Sequence, residues 1–313
     1  MSLAIHGGAG LISKDHFTDK ELTEYRKGLR EVLDRSKQMW LEGEEAISIV
    51  IECVRLLEDN PLFNAGKGSV LNSQGVVEMD ASIMGPSSTH ENYWGAGVSG
   101  LTQVKNPIYV ANELRKMNQH SLLSGEGARN FAKNLGVKHL APDSFITSKR
   151  KLQFQNFLKN KEITLDHGSV SSDKPYQEGQ TVGAVCLDKK GNLAAATSTG
   201  GMTGKMDGRV SDSAIIGQGT WAHAKTLAIS ATGTGDHFIQ ICFCHRVHMR
   251  MLYEKLSLEQ AIQEGLDELA SIGGNGGAVA VDLEGNVSLL FNSGGMFRAC
   301  FESKTGRETL DIF

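Results

Sequence analysis

Residues 183–201 of this chain align without a gap on residues 277–295. The first copy reads Gly183-Ala-Val-Cys-Leu-Asp-Lys-Lys-Gly-Asn-Leu-Ala-Ala-Ala-Thr-Ser-Thr-Gly-Gly201. The second reads Gly277-Ala-Val-Ala-Val-Asp-Leu-Glu-Gly-Asn-Val-Ser-Leu-Leu-Phe-Asn-Ser-Gly-Gly295. Each is a strand–turn–strand unit. Asp-x-x-Gly-Asn is turn chemistry, and Gly191 or Gly285 can take the positive φ of a bulged hairpin. Neither copy alternates apolar with polar residues, so both faces of each hairpin need cover. A one-sided open sheet is thereby excluded. Helical patterns at about 237–255 and 257–271 supply covering material, and helices over layered hairpins make an α+β sandwich.

The first half is consistent with that class. Leu3–His6 is a short apolar opening that ends in a Gly turn. Thr18-Asp-Lys-Glu21 is a capping box, followed at helical spacing by Leu22, Tyr25, Leu29, Val32, Leu33, Met39 and Trp40. Gly43 ends that helix. A second helix runs from about 44 to 58 and stops at Asn60-Pro61. Residues 70–84 look extended around an Asn72-Ser-Gln-Gly75 turn. Segments 107–117 and 126–135 look helical. From about 159 to 180 the chain turns polar and rich in turn residues, which reads as a mobile linker.

Several classes are disfavoured. Net charge is −4, with no basic cluster and few Trp or Tyr, so nucleic-acid binding is not expected. The longest apolar stretch, 46–54, is broken by Glu52 and too short to span a bilayer. The start lacks a basic n-region and a long apolar run, so no signal peptide is read. Five scattered cysteines read as reduced, and the expected compartment is cytoplasmic. Ala65-Gly66-Lys67-Gly68 fails the P-loop pattern, because no Ser or Thr follows Lys67 and Pro61 stands where Gly should. Gly233-Thr-Gly235 fails the dinucleotide fingerprint at Phe238. No Gly-x-Ser-x-Gly elbow occurs. Cys242-Phe-Cys244-His245 lacks a second ligand pair and reads as helix core.

Thr181 carries the chemistry. It heads the apolar strand Thr181-Val-Gly-Ala-Val-Cys-Leu-Asp188, directly after the polar linker. A polar tail running into a buried strand is a good place to cut a chain. A cut before Thr181 would leave a hydroxyl nucleophile and its own amine base on one residue. Thr199 and Thr232 lie downstream in Gly-rich settings. Read singly, each piece has a plainer meaning. A Thr at a strand start packs, Arg209 and Asp212 make a surface ion pair, and Asn64 steadies its loop.

Together the motifs resemble the plant-type asparaginase, or isoaspartyl peptidase, family of N-terminal-nucleophile hydrolases. They are Ile5-His-Gly-Gly-Ala-Gly10, Pro61-Leu-Phe-Asn-Ala-Gly66, Glu78-Met-Asp-Ala81, Lys105-Asn-Pro107, Gly125-Glu-Gly-Ala128, Thr181-Val-Gly-Ala-Val185, Gly191–Thr203, Gly208-Arg-Val-Ser-Asp-Ser213, Ala231-Thr-Gly-Thr-Gly-Asp236 and Gly295-Met-Phe-Arg298. They stand in family order from residue 5 to 298. The resemblance implies a single domain, 1–313, built as a four-layer αββα sandwich. It implies self-cleavage between Gln180 and Thr181, giving a large chain 1–180 with a mobile tail and a small chain 181–313. Thr181 is then the nucleophile for asparagine or an isoaspartyl bond. Thr199 orients it, Asn64 supports the site, and Thr232 with the Gly233 N–H forms an oxyanion hole. The segments Arg209-Val210-Ser211-Asp212 and Thr232-Gly233-Thr234-Gly235 bind substrate, Arg209 taking its α-carboxylate and Asp212 its α-ammonium. No catalytic metal or cofactor is implied. A structural sodium held by backbone carbonyls near Leu57 and Phe63 is, as is a homodimer of cleaved pairs acting on a small molecule or dipeptide.

Three positions depart from the family pattern. Gln180 stands where Gly is usual, and a related branch also uses a non-Gly residue there, so cleavage is expected at a reduced rate. Ser211 replaces a Gly, which would displace the Arg209/Asp212 clamp if the position needs positive φ. Gly204 stands where Asn is common. A glycosylasparaginase is the alternative enzyme. It is disfavoured because that branch shows Thr-Asn-Gly and Thr-Gly-Asn-Gly at the two Thr-Gly segments. An uncleaved, non-catalytic relative is the alternative of another class.

Overall fold

The structure, a computed structural model, describes residues 2–87, 93–160 and 181–313. Most of the expected linker and the residue before the expected cut, Gln180, lie outside the described residues. The linker's first two positions, 159 and 160, end a helix.

Among the described residues, twelve strands form two sheets. The larger contains β1 (Ser2–Gly10), β2 (Met79–Pro86), β3 (Tyr93–Leu101), β4 (Leu122–Ser124), β5 (Val182–Leu187), β6 (Leu193–Thr199), β11 (Gly295–Glu302) and β12 (Arg307–Asp311), in the order β12-β11-β1-β5-β6-β2-β3-β4. The smaller contains β7 (Thr220–Ala222), β8 (Leu227–Gly233), β9 (Gly276–Asp282) and β10 (Val287–Phe291), in the order β10-β9-β8-β7. All pairings are antiparallel except β3 with β4.

The repeat accounts for the two layers. Its first copy is the β5–β6 hairpin of the large sheet, and its second is the β9–β10 hairpin of the small one. The turns are built alike. Asp188 Oδ1 accepts from the N–H groups of Lys190 and Asn192, and Asn192 Nδ2 donates to Asp188 Oδ2. Asp282 does the same with Glu284 and Asn286. Gly191 and Gly285 have φ of 83° and 84°, as the turn chemistry requires.

Helices cover both outer faces. α1 (Asp19–Leu41), α2 (Ala46–Asp59), α3 (Pro107–Met117) and α4 (Gly125–Asn134) pack on the large sheet. α6 (Gly235–Ile241), α7 (Phe243–Met249) and α8 (Leu258–Ser271) pack on the small one through Phe238, Phe243 and Leu266. Between the sheets lies a thin apolar layer of Ala4, Val185, Ala195, Ala228, Val279 and Val281. The fold is an αββα sandwich. α5 (Ser148–Asn160) lies apart and anchors its buried Arg150 on the Gly68 carbonyl.

The capping box forms at Thr18/Glu21, and Gly43 follows the first helix at φ +88°. Four expectations need correction. The opening is no short strand ending in a turn: β1 runs through the glycines to Gly10, with a bulge between His6 and Gly8. Gly7 makes this possible, since a Cβ there would lie 2.3 Å from the Phe63 ring. Residues 70–78 form no strand, and β2 begins only at Met79. The helix expected over 237–255 breaks at Cys242, where φ is +52°, because the first turn of α7 donates to the Gly217 and Gln218 carbonyls. Cys244 is core as expected, but Cys242 is exposed.

Candidate active site

Pairing of β5 with β6 sets Val182 opposite Ser198, so Thr181, at the strand head, meets Thr199 at the end of the partner strand. The Thr181 hydroxyl donates to Thr199 Oγ1 at 3.2 Å, and the Gly201 N–H donates to the same oxygen at 3.0 Å. Beside them, buried Glu58 of α2 accepts from Ser198 Oγ at 2.7 Å and from the Ile108 N–H at 3.1 Å, pinning the end of β6. Burial pushes the Glu58 carboxyl up to about 8.

Thr232 stands near the end of β8, in the facing sheet. Its hydroxyl oxygen accepts the Ala9 N–H of β1 at 3.2 Å, which leaves its own proton to donate elsewhere. Gly233 pairs with Gly276, and a Cβ on Gly233 would lie 2.4 Å from the Asn275 carbonyl oxygen. Only glycine fits so close a strand approach. Asn64 is wholly buried. It donates to the Gly201 carbonyl at 2.7 Å and accepts from the Val70 N–H at 2.8 Å, while its carbonyl takes the Gly200 N–H. It therefore braces the loop that follows Thr199.

The expected clamp residues converge on Gly235. A Cβ there would lie 2.3 Å from Asp212 Oδ1 and 3.2 Å from Arg209 Nη2. Asp212 is 3% exposed, and its Oδ2 has no hydrogen-bond partner among the described residues. Burial pushes its carboxyl up to about 7, with the nearby Arg209 charge opposing. Arg209 does not pair with Asp212. It makes a two-pronged contact with Asp236, Nε to Oδ1 at 3.2 Å and Nη2 to Oδ2 at 2.9 Å. Val210 is half-buried between them. Thr234 commits its hydroxyl to Asn275, donating to the carbonyl and accepting the N–H.

Two departures from the family pattern have physical explanations. Ser211 has φ of −86°, so the position requires no glycine, and its N–H donates to Asp80 Oδ2 at 2.8 Å. Asp80 also takes Ser99 Oγ and the Gly100 N–H, fixing the backbone that leads into Asp212. Gly204 has φ of +75°, and a Cβ there would lie 2.4 Å from the Phe157 ring of α5. Asparagine would collide with that ring.

Besides Glu58, sequence reasoning assigned no role to three residues the structure adds here. They are Asp80, Asp236 and His6. His6 sits at the bulge of β1, fully buried. Its Nδ1 lies 3.0 Å from the Thr181 carbonyl oxygen and its Nε2 lies 2.8 Å from Ser230 Oγ. Burial pushes its pKa down to about 3, so the ring is neutral. A lone histidine in an apolar strand, next to a glycine pair, was the available signal.

Among the described residues no group of three or more His, Cys, Asp or Glu side chains is placed to hold a metal. The loop after α2 packs its main chain closely on Gly68. The Pro61 and Phe63 carbonyls come within 2.5 and 2.8 Å of the point a Gly68 Cβ would occupy. Only glycine fits against those carbonyls, and its φ is +99°. The Leu57 carbonyl accepts the Asn60 N–H. Among the described residues no helix is long and apolar enough to cross a membrane.

Comparison with known proteins gives a consistent result. Residues 1–310 match the family model described as asparaginase. An isoaspartyl peptidase of Salmonella typhimurium is 42% identical over 298 residues, covering 95% of this chain and 94% of that protein. An isoaspartyl peptidase of Escherichia coli is 41% identical, covering 95% and 91%. A probable isoaspartyl peptidase/L-asparaginase of Arabidopsis thaliana is 36% identical, covering 96% and 95%.

Proposed function

The chain belongs to the asparaginase family, and on that premise we propose that it hydrolyses isoaspartyl peptides and the side-chain amide of L-asparagine through Thr181. The observation that carries this reading is the Thr181–Thr199 hydroxyl pair at the head of a buried strand, with Thr232 and Gly233 at a strand end of the facing sheet.

The chain first cuts itself. The Thr181 hydroxyl attacks the carbonyl carbon of Gln180, and the acyl group passes from nitrogen to oxygen. Water then hydrolyses the ester, leaving a carboxylate on residue 180 and a free amine on Thr181. Chains 1–180 and 181–313 remain one domain. In turnover the amine takes the hydroxyl proton as Oγ1 attacks the substrate's side-chain carbonyl. The Thr232 hydroxyl and the Gly233 N–H hold the developing oxyanion, where one donor typically contributes about 3 kcal/mol. The amine returns the proton to the departing ammonia or peptide amine. Water then releases aspartate from the acylated Thr181.

Substrate orientation comes from charge. Arg209, held in the plane of Asp236, presents its remaining N–H groups to the α-carboxylate. The unpartnered Asp212 oxygen, beside the open Cα of Gly235, takes the α-ammonium. A sodium ion on the carbonyls around Leu57 and Phe63 would stiffen the loop carrying Asn64. All five cysteines are free, which suits a reducing, cytoplasmic setting. The working particle is a homodimer of cleaved pairs, a reading carried by the family resemblance.

N-terminal sequencing and intact mass of purified protein test this reading directly. Two chains are expected, the second beginning at Thr181, together with ammonia release from asparagine and cleavage of β-Asp-Leu. A whole chain that does neither sinks it.

The acid limb of kcat/KM provides a second test. Asp212 must be ionised to bind an ammonium, and its carboxyl titrates at about 7. The α-amine must be unprotonated to act as base, and such groups titrate at about 7.7–8.0. Both requirements fail as pH falls. Log kcat/KM is therefore expected to drop with a slope approaching about 2 below neutrality. Asp212→Asn should reduce that slope to about 1 and lower the plateau. A slope of one in the wild-type enzyme would contradict the role given to Asp212.

A further inference from the structure

A line of buried side-chain hydrogen bonds crosses both sheets and ends on the carbonyl of Thr181. Ser82 Oγ of β2 donates to Thr220 Oγ1 of β7 at 2.8 Å, and Thr220 donates to Thr197 Oγ1 of β6. Thr197 Oγ1 lies 2.7 Å from Ser230 Oγ of β8, which lies 2.8 Å from His6 Nε2. His6 Nδ1 then reaches the Thr181 carbonyl oxygen at 3.0 Å. The carbonyl end fixes the directions at His6 and Ser230. A carbonyl oxygen only accepts, so Nδ1 carries the ring proton. Nε2 must then accept, so Ser230 donates to it; the Thr197 hydroxyl lies between Ser230 Oγ and the Gly219 carbonyl, which it reaches at 3.2 Å. The five side chains are 0% exposed, beside an apolar layer rich in alanine and valine.

Burying so many polar groups costs more than filling the layer with methyls unless every bond is made. The backbone is shaped to admit them. The β1 bulge falls at His6. A Cβ on the neighbouring Gly183 would lie 2.3 Å from His6 Nε2 and 2.0 Å from Ser230 Oγ. Bulges beside active sites commonly re-aim a side chain.

We propose that His6, aligned by Ser230, is a positioning residue that fixes the backbone of Thr181 once the peptide bond to residue 180 is gone. This rests on the reading that Thr181 is the nucleophile. After the cut, Thr181 has one covalent tether, and the direction of its Cα–Cβ bond depends on ψ. The His6 N–H fixes the carbonyl plane on one side of that bond and Thr199 fixes the hydroxyl on the other, so the two together set the angle. The two contacts hold the residue at opposite ends. Because burial keeps the ring neutral, the single proton on Nδ1 remains where the carbonyl needs it.

The amide of asparagine can occupy the place of Nδ1, and that of glutamine the place of Nε2. His6→Asn keeps a donor to the Thr181 carbonyl and loses the link to Ser230; His6→Gln does the reverse. In cleaved enzyme, with kcat counted per Thr181 terminus, His6→Gln is expected to lose about 100-fold in kcat, the scale of an ångström-sized misplacement. His6→Asn should recover most of that loss. KM should stay within about twofold for both, because neither touches the clamp. Equal kcat in the two variants, or a change in KM with kcat intact, overturns the proposal. Should His6→Gln fail to fold, Ser230→Ala decides, with an expected drop of about tenfold in kcat; unchanged kcat there overturns it as well. Wild-type protein that hydrolyses neither substrate would instead defeat the assignment of Thr181, a result distinct from either.

Discussion

Thr181→Ala is expected to yield one uncut chain with no measurable turnover of asparagine or β-Asp-Leu. On the proposed mechanism the substitution removes the attacking oxygen for both reactions at once. No other group replaces it: Thr199 Oγ1 already accepts from the Gly201 N–H, and the Thr232 oxygen accepts from Ala9. Loss of a covalent nucleophile typically costs about 10⁴-fold or more, which here falls to background. The fold should survive. Thr181 lies at the head of β5 and gives up one hydroxyl hydrogen bond, worth about 1 kcal/mol. The check is a denaturing gel with a thermal melt beside the activity assay. Thr181→Ser restores the hydroxyl and should restore cleavage. A cut or active Thr181→Ala protein would place the chemistry on another residue.

Gly235→Ala is expected to give a cleaved, folded, nearly inactive enzyme. The added methyl carbon would lie 2.3 Å from Asp212 Oδ1, in the space where an ammonium must sit. Backbone strain is no obstacle, because Gly235 opens α6 without a positive φ. Alanine is the better helix former by about 1 kcal/mol, but the methyl must push the buried Asp212 carboxylate aside, so a modest loss of stability is expected. Self-cleavage uses no clamp residue and should proceed normally. We expect kcat/KM to fall by about 10²–10³, the scale of lost charge-assisted contacts at about 1.5–3 kcal/mol each. Steady-state kinetics alongside N-terminal sequencing would check this. Normal kcat/KM would mean that substrate does not bind between Arg209 and Asp212.

The parts of this molecule legible in its sequence are those in which local chemistry decides structure. Asp188-x-x-Gly-Asn and Asp282-x-x-Gly-Asn announce their turns because the side chain and the backbone bond within five residues. The Thr18/Glu21 box announces α1 for the same reason. The layers follow because hairpins apolar on both faces must be covered. Less legible is whatever depends on partners remote in sequence. β1 passes through its glycines only because Phe63 needs the room beside Gly7. α7 separates from α6 because the 217–218 carbonyls capture its first turn. The site divides in the same way. Thr181, Thr199, Thr232, Arg209 and Asp212 stand out through family motifs. His6 lies in one of those motifs, yet its reach to Thr181 spans 175 positions. Ser211 raised a concern over backbone angle that its φ of −86° removes.

The order β12-β11-β1-β5-β6-β2-β3-β4 has a consequence for the proposed two-chain enzyme. β1 comes from the segment before the cut and is flanked by two strands that follow it. The β5–β6 hairpin is flanked in turn by strands that precede the cut. The two products are woven through each other, and neither can be withdrawn without tearing the sheet. Scission must therefore come after assembly. Once the matured pair is unravelled, two separate molecules must find each other before the weave can re-form, so the uncut precursor folds alone whereas its product does not.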